Sequence, residues 1–206
     1  SALCTSRTCE YCTDDAFLSP AEHEVYQTLA QARKRDWRMG RCAGKRAVAS
    51  LLAHIYGTTP PVTSFEVRSG GPPYVTSLDP VLAHGLDTCT LSLAHSGERG
   101  LACVSLKQIT RGVGVDVERI RSFRVETVRA FLTADEYERY SQMEVSLRDT
   151  YATRLWCIKE AYGKACGSGI ALHPKRISVG EDMSTISVDG ALVPLQSLWT
   201  SREDGY

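Results

Sequence analysis

Gly112-Val-Gly-Val-Asp116-Val-Glu118 sets two carboxylates two residues apart in a valine-rich run. As a strand, this segment alternates its side chains, with Asp116 and Glu118 on one face and Val115 and Val117 on the other. Two carboxylates about 6–7 Å apart repel each other unless a cation sits between them. A solvated acidic face on an amphipathic edge strand explains the same pattern, and these residues alone do not choose between the two. The flanking glycines suit a close approach by a ligand. They are not a dinucleotide fingerprint, because the carboxylates stand where a helix should begin.

Trp156-Cys-Ile-Lys159-Glu160-Ala-Tyr-Gly-Lys164 carries the next chemistry. Ala152, Trp156, Glu160 and Lys164 recur every four residues and share one side of a helix. An exposed Glu-to-Lys pair is worth only about 0.2–0.5 kcal/mol. The alternative is a third oxygen ligand for a hard cation such as Mg²⁺, with an ammonium for a phosphate bound beside it. Residues 31–50 then hold seven basic groups and one acidic group, Arg33, Arg35, Arg38 and Arg41 among them. A solvated helix mixes its signs, so this bias points to a partner. The segment is too short and too poor in aromatics for a nucleic-acid surface, and a small polyphosphate clamped by charge-assisted hydrogen bonds fits better. His95 ends the apolar run Leu91-Ser-Leu-Ala-His95-Ser-Gly97, next to a hydroxyl and a glycine turn where ligands often bind. No Gly-x-Ser-x-Gly elbow accompanies it, which argues against a serine hydrolase.

The elements that must position these groups read as follows. Ser19-Pro20 opens a helix. The stripe Ala43, Ala47, Leu51 and Ile55 marks a buried helix that stops at Gly57, with Gly40 as a possible break into two. Strands are expected at 62–67, 90–94, 101–106 and 112–118. Thr133 to Glu136 is a capping box that starts a helix of about ten residues. A further helix spans about 149–166, stopped by Gly167. Strands at 177–179, 185–188 and 191–193 follow, with a hairpin turn at Asp189-Gly190. No repeat shows by eye. Helices and strands interleave without a strict βαβ rhythm, which predicts an α+β fold.

Composition sets the outer bounds. The chain has 206 residues, of which 43% are hydrophobic and 23% charged, enough to bury a core and too apolar for general disorder. Lys plus Arg and Asp plus Glu are both 24, so bulk charge predicts no nucleic-acid or membrane partner. No run reaches the roughly 18 apolar residues of a membrane span. Of the eight cysteines, Cys9 and Cys12 could seed a zinc site, but no second pair follows at ligand spacing. Reduced thiols and a start without a secretory leader lead us to expect a cytoplasmic protein.

In order, these segments resemble the 4'-phosphopantetheinyl transferase superfamily, in its larger surfactin-synthetase-activating branch. The likeness covers roughly residues 33–180. Gly112 to Glu118 resembles the family's Gly-Ile-Asp-x-Glu strand, and Trp156 to Lys164 its Trp-x-x-Lys-Glu-(Ala/Ser)-x-x-Lys helix. Met39-Gly-Arg41 with Lys45 resembles a Gly-Arg-x-x-x-Lys segment, and Leu93 to Gly97 an Ile-Ser-His-Ser-Gly strand. The resemblance implies an enzyme that moves the phosphopantetheine arm of coenzyme A onto a serine of an acyl or peptidyl carrier protein, releasing adenosine 3',5'-bisphosphate. It implies Mg²⁺ on Asp116, Glu118 and Glu160, Glu160 as general base, and Lys164 on the pyrophosphate. His95 with Arg33, Arg35 or Arg41 would hold the 3'-phosphate. The implied architecture is two similar lobes, residues 1–108 binding coenzyme phosphates and 109–206 carrying the metal and transfer residues, in a monomer with the site in the cleft.

Two departures stand out. Ala94 replaces the serine before the histidine, removing a hydroxyl from the 3'-phosphate site, and Gly71-Pro72-Pro73 lacks the lysine of the family's Gly-Lys-Pro loop. Arg33, Arg35 or Arg41 would compensate. The rival readings are a Mg²⁺-dependent pyrophosphohydrolase of nucleotides or coenzyme A, and a non-catalytic domain that binds coenzyme A or a carrier protein.

Overall fold

The computed structural model describes the backbone of residues 4–10 and residues 15–167, 172–195, 197–202 and 205–206 in full. Three short sheets and six helices alternate along them. β1 (Cys4–Glu10), absent from the sequence reading, pairs antiparallel with β5 (Arg99–Leu106), which pairs in turn with β4 (Cys89–Ser96). β2 (Glu66–Arg68) and β3 (Tyr74–Thr76) form a ribbon. β6 (Ile177–Val179), β7 (Ile186–Val188) and β8 (Ala191–Leu192) form the last sheet, its hairpin turned by Asp189 and Gly190 at positive φ, as expected. The chain is therefore a mixed helix-and-sheet protein.

Helix starts follow the capping chemistry. Ser19 caps α1 (Pro20–Thr28) and Thr133 caps α5 (Ala134–Gln142), each with a complete capping box. α2 (Gln31–Tyr56) ends at Gly57 in the left-handed region but does not break at Gly40. A lone glycine costs a helix only about 1 kcal/mol, and the fully buried stripe of Ala43, Ala47, Val48, Leu51 and Leu52 outweighs it. Two short helices, α3 (Pro80–Leu86) and α4 (Val125–Phe131), escape the periodicity reading because seven residues are too few to show a stripe. The last helix, α6 (Val145–Ala165), begins four residues earlier than expected. Of the strand expected at 62–67, only 66–68 pairs, and 62–64 is a 3₁₀ turn. Among the described residues Cys89, Cys103, Cys157 and Cys166 are in no disulfide, but Cys42 is disulfide-bonded, against the expectation of reduced cysteines throughout. The unforeseen β1 packs along α2, which carries Cys42. The Cys9-Cys12 zinc reading lies outside the described side chains.

Apolar burial collects in two clusters among the described residues. One centres on α2, β2 to β5 and Leu86; the other on α4 to α6 and the last sheet. A repeat that the sequence reading missed underlies them. Ala16-Phe-Leu-Ser-Pro-Ala-Glu22-His-Glu-Val-Tyr26 returns 114 residues later as Ala130-Phe-Leu-Thr-Ala-Asp-Glu136-Tyr-Glu-Arg-Tyr140, with six of eleven residues identical. In the first copy Glu22 closes the capping box, accepts from Val67 N (2.8 Å) and pairs with the buried Lys45 at 2.5 Å. Lys45 donates its other protons to the carbonyls of Phe17 and Val62. In the second, Glu136 closes its box, accepts from Val179 N (2.8 Å) and pairs with the buried Lys159 at 2.6 Å. Lys159 donates to the carbonyls of Phe131 and Pro174. The repeat spans eleven residues in each copy.

Candidate active site

β4 delivers groups to two sides. Ser92, Ala94 and Ser96 alternate with Leu93 and His95. Ser92 Oγ accepts from Val115 N (3.1 Å) and Ser96 Oγ accepts from Arg119 N (3.2 Å), so the even-numbered face meets residues 112–119. Ala94, buried, shares that face; its methyl therefore takes no hydroxyl from the His95 side, contrary to the sequence expectation.

Residues 112–118 pair with no strand; they pass as unpaired chain between β4 and α6. The two glycines explain the path. A Cβ on Gly112 would stand 2.0 Å from the carbonyl oxygen of Ala165, and one on Gly114 1.7 Å from that of Ala161. The close approach that the glycines permit is thus to helix α6, not to a ligand. Serine hydroxyls and a helix surface take the place of ladder partners, so the expected strand is absent.

That path brings Asp116 to Lys164. The ammonium donates to Asp116 Oδ1 (2.7 Å) and to the Val115 carbonyl (3.1 Å), while the buried Asp116 Oδ2 has no partner. Burial pushes the Asp116 carboxyl above the ordinary aspartate range, with Lys164 opposing. The Ser96 hydroxyl donates to Glu118 Oε2 (3.0 Å). Glu160, half-buried on α6, is also raised, first by burial and then by the negative charge of Asp116, with Glu118 adding a smaller push. Burial followed by the charge of Asp116 pushes the Cys157 thiol well up, so it stays protonated. The three carboxylates and Lys164 therefore form one electrostatic group. An orphaned buried carboxylate oxygen and mutually repelling carboxylates suit a divalent cation chemically. As they stand, no three such side chains among the described residues are already gathered in ligand geometry.

On the other face of β4 lies an open cavity of about 950 Å³. Arg33, Arg41 and His95 line it, as do Trp37, Arg68 and Tyr74. Arg35 does not, and its side chain pairs loosely with Asp36 at 3.7 Å. Arg41 lies 4.4 Å over the Trp37 ring and donates to Ser69 Oγ (3.0 Å), leaving its buried Nε without a partner. His95 Nδ1 is 3.8 Å from Asp36. Lys45, by contrast, is consumed by its buried ion pair. Arg68, held by Glu66 at 2.6 Å, was missed, as was Ser96. A lone arginine in a short strand carries no local signal, and the hydroxyl beside His95 is visible in the sequence as a neighbour but not as a hydrogen-bond donor to Glu118. The two halves meet through neighbouring residues, since His95 faces the cavity and Ser96 holds Glu118.

The model of the 4'-phosphopantetheinyl transferase superfamily matches residues 112–200, the stretch that runs from this carboxylate segment through α6 and the last sheet. Over those residues the chain is similar to that superfamily. It is 26% identical over 178 residues to a 4'-phosphopantetheinyl transferase of Bacillus subtilis, covering 80% of this chain and 72% of that protein. It is 31% identical over 131 residues to the 4'-phosphopantetheinyl transferase HetI of Nostoc sp., covering 63% of this chain and 52% of that one. A solved Chronobacterium ammoniagenes ACPS-CoA complex aligns with 50% of this chain and 95% of its own at 21% identity, with a TM-score of 0.40, too loose to carry an argument. Among the described residues, no helix is long and apolar enough to cross a membrane.

Proposed function

We propose that this chain transfers the phosphopantetheine arm of coenzyme A to a serine of an acyl or peptidyl carrier protein. One observation supports this most. A cavity lined by Arg33, Arg41 and His95 abuts, through Ser96, the carboxylate group of Asp116, Glu118 and Glu160 with Lys164. Arg33, Arg41 and His95, set in a cavity that Glu22, Glu24, Asp36 and Glu66 also line, suit the 3'-phosphate of the coenzyme, and the carboxylate side with Lys164 suits its reacting pyrophosphate. Arg68, on the same cavity, stands in for the lysine that the Pro72 loop lacks.

In the reaction the carrier serine Oγ attacks the β-phosphorus and the bond to the bridging oxygen breaks. Adenosine 3',5'-bisphosphate leaves, and the serine proton passes to Glu160, directly or through a water. Lys164 donates to the pyrophosphate. Asp116, Glu118 and Glu160 would hold Mg²⁺, which when bound gathers phosphate oxygens and offsets the charge on the leaving group. Residues 1–108 and 109–206 form two related lobes, a division supported by the two apolar clusters and the repeated Glu–Lys constellation. One chain carries both halves of the site, which favours a monomer.

The test is an intact mass spectrum of apo carrier protein after incubation with this chain, coenzyme A and Mg²⁺. The expected result is a gain of one phosphopantetheine on the carrier serine, abolished by EDTA. Release of bisphosphate without a carrier would indicate a pyrophosphohydrolase instead. Coenzyme A binding with no mass gain would indicate a non-catalytic binder.

A further inference from the structure

We propose that Tyr206 is a positioning residue for Glu118, holding that carboxylate ready for its cation from outside the site; the proposal rests on the transferase reading above. Glu118 needs such a hold. Asp116 has Lys164 at 2.7 Å, whereas among the described residues the Glu118 carboxylate accepts one hydrogen bond, from Ser96 Oγ (3.0 Å). Its charge also opposes that of Glu160, and like charges push each other toward water. Ser96 ends β4, and its hydroxyl accepts in turn from Arg119 N (3.2 Å). Glu118 is therefore only as well placed as the turn that follows Ser96.

Residues 205–206 hold that turn. The Tyr206 hydroxyl accepts from Glu98 N (3.2 Å), and the guanidinium of the buried Arg99 lies 4.7 Å over its ring. Gly97 turns the hairpin at a φ of 59°, and a Cβ there would collide with the Tyr206 hydroxyl. The glycine beside His95 and Ser96 thus makes the turn and admits a tyrosine of the same chain. The Gly205 carbonyl accepts from Ile120 N (2.8 Å), two residues beyond Glu118.

Glu118 is bracketed by these contacts. Tyr206 grips the turn after Ser96, and Gly205 grips the chain after Glu118. The stretch that leads to them is seated on the other half of the molecule. Leu195 and Leu198 pack against the second apolar cluster, and Thr200 Oγ1 accepts from Arg154 of α6. The clamp therefore ties the β4–β5 turn to the half that carries Glu160 and Lys164. Tyr206 acts through Ser96 and residue 120 rather than on the reacting atoms, and it prepays part of the cost of ordering the carboxylate.

Two measurements test this. Transfer to apo carrier protein is followed against Mg²⁺ concentration, and Mn²⁺ binding is followed by electron paramagnetic resonance on the chain with coenzyme A and no carrier. In Tyr206→Ala the Mg²⁺ needed for half-maximal transfer should rise about fivefold and Mn²⁺ affinity should fall by a like factor, while the KM for coenzyme A stays within about twofold. Tyr206→Phe keeps the ring over Arg99 and should fall between Tyr206→Ala and wild type. In a Ser96→Ala background, Tyr206→Ala should weaken Mn²⁺ by less than about twofold more, because the route through the turn is already cut. A full further loss there would overturn that route. A wild-type chain that transfers, with both metal readouts unchanged in Tyr206→Ala, would sink the clamp alone. So would a lower melting temperature and rate without any shift in metal dependence, the mark of a purely structural role. A wild-type chain that neither transfers nor binds Mn²⁺ would overturn both readings.

Discussion

At the scale of single residues, the site turns on carboxylates that do not ionise freely. Glu160 is held above the ordinary glutamate range by burial first and by Asp116 second, and a carboxylate so placed is a stronger base once it has lost its proton. Under the proposed mechanism Glu160→Gln removes the base and one cation ligand and leaves Arg33, Arg41 and His95 of the cavity in place. Turnover should fall at least about 100-fold, with coenzyme A affinity within a few-fold of wild type. Transfer by mass spectrometry and binding by calorimetry check the two halves, and near-normal turnover would refute the role of Glu160. Of the arginines expected at the 3'-phosphate, Arg33 and Arg41 line the cavity and Arg35 does not. The composition of the basic run marks the region, but only the rotation of α2 decides which members face inward.

At the scale of elements, the informative unit is the chain from Gly112 to Glu118, which is no strand yet is fixed as firmly as one. It lies on α6 so closely that Cβ atoms at 112 and 114 would penetrate helix carbonyls. Gly114→Ala must therefore push the segment off the helix and take Asp116 away from Lys164. A loss of about 1–3 kcal/mol of stability is expected, together with a fall in transfer rate far larger than the change in coenzyme A affinity. Denaturant unfolding and the same transfer assay report both, and a stable, fully active variant would show that the contact is not needed. The capping boxes at Ser19 and Thr133 were legible from sequence because their chemistry is local. Alternation in residues 112–118 signals extended chain equally well whether a strand or a helix lies beside it, so the expected ladder misled.

For the whole molecule, the two buried Glu–Lys pairs are the clearest structural statement. Each ties a helix cap, a long helix and a strand together in a region shielded from water. Removing one partner strands the other charge. Lys45→Met and Lys159→Met should each cost about 3–5 kcal/mol, although Lys45 lies on α2 and Lys159 on α6, next to Glu160. Thermal or denaturant melts of the two variants give the comparison, and a negligible loss in either would show that its pair is dispensable.

What the sequence determined by itself was chemistry and local form: the carboxylate pair, the Glu160–Lys164 spacing, the basic run, the capped helix starts and the hairpin at Asp189-Gly190. Each depends on residue type and short-range geometry, which a linear string carries. The tertiary structure alone decided that the glycines serve a helix, that Lys45 and Lys159 are struts, and that Ser96 joins the two halves of the site. It also decided that a repeat 114 residues apart builds matching keystones. Those outcomes depend on which side chains are taken out of water together, and burial is a property of the packed chain rather than of any segment in it.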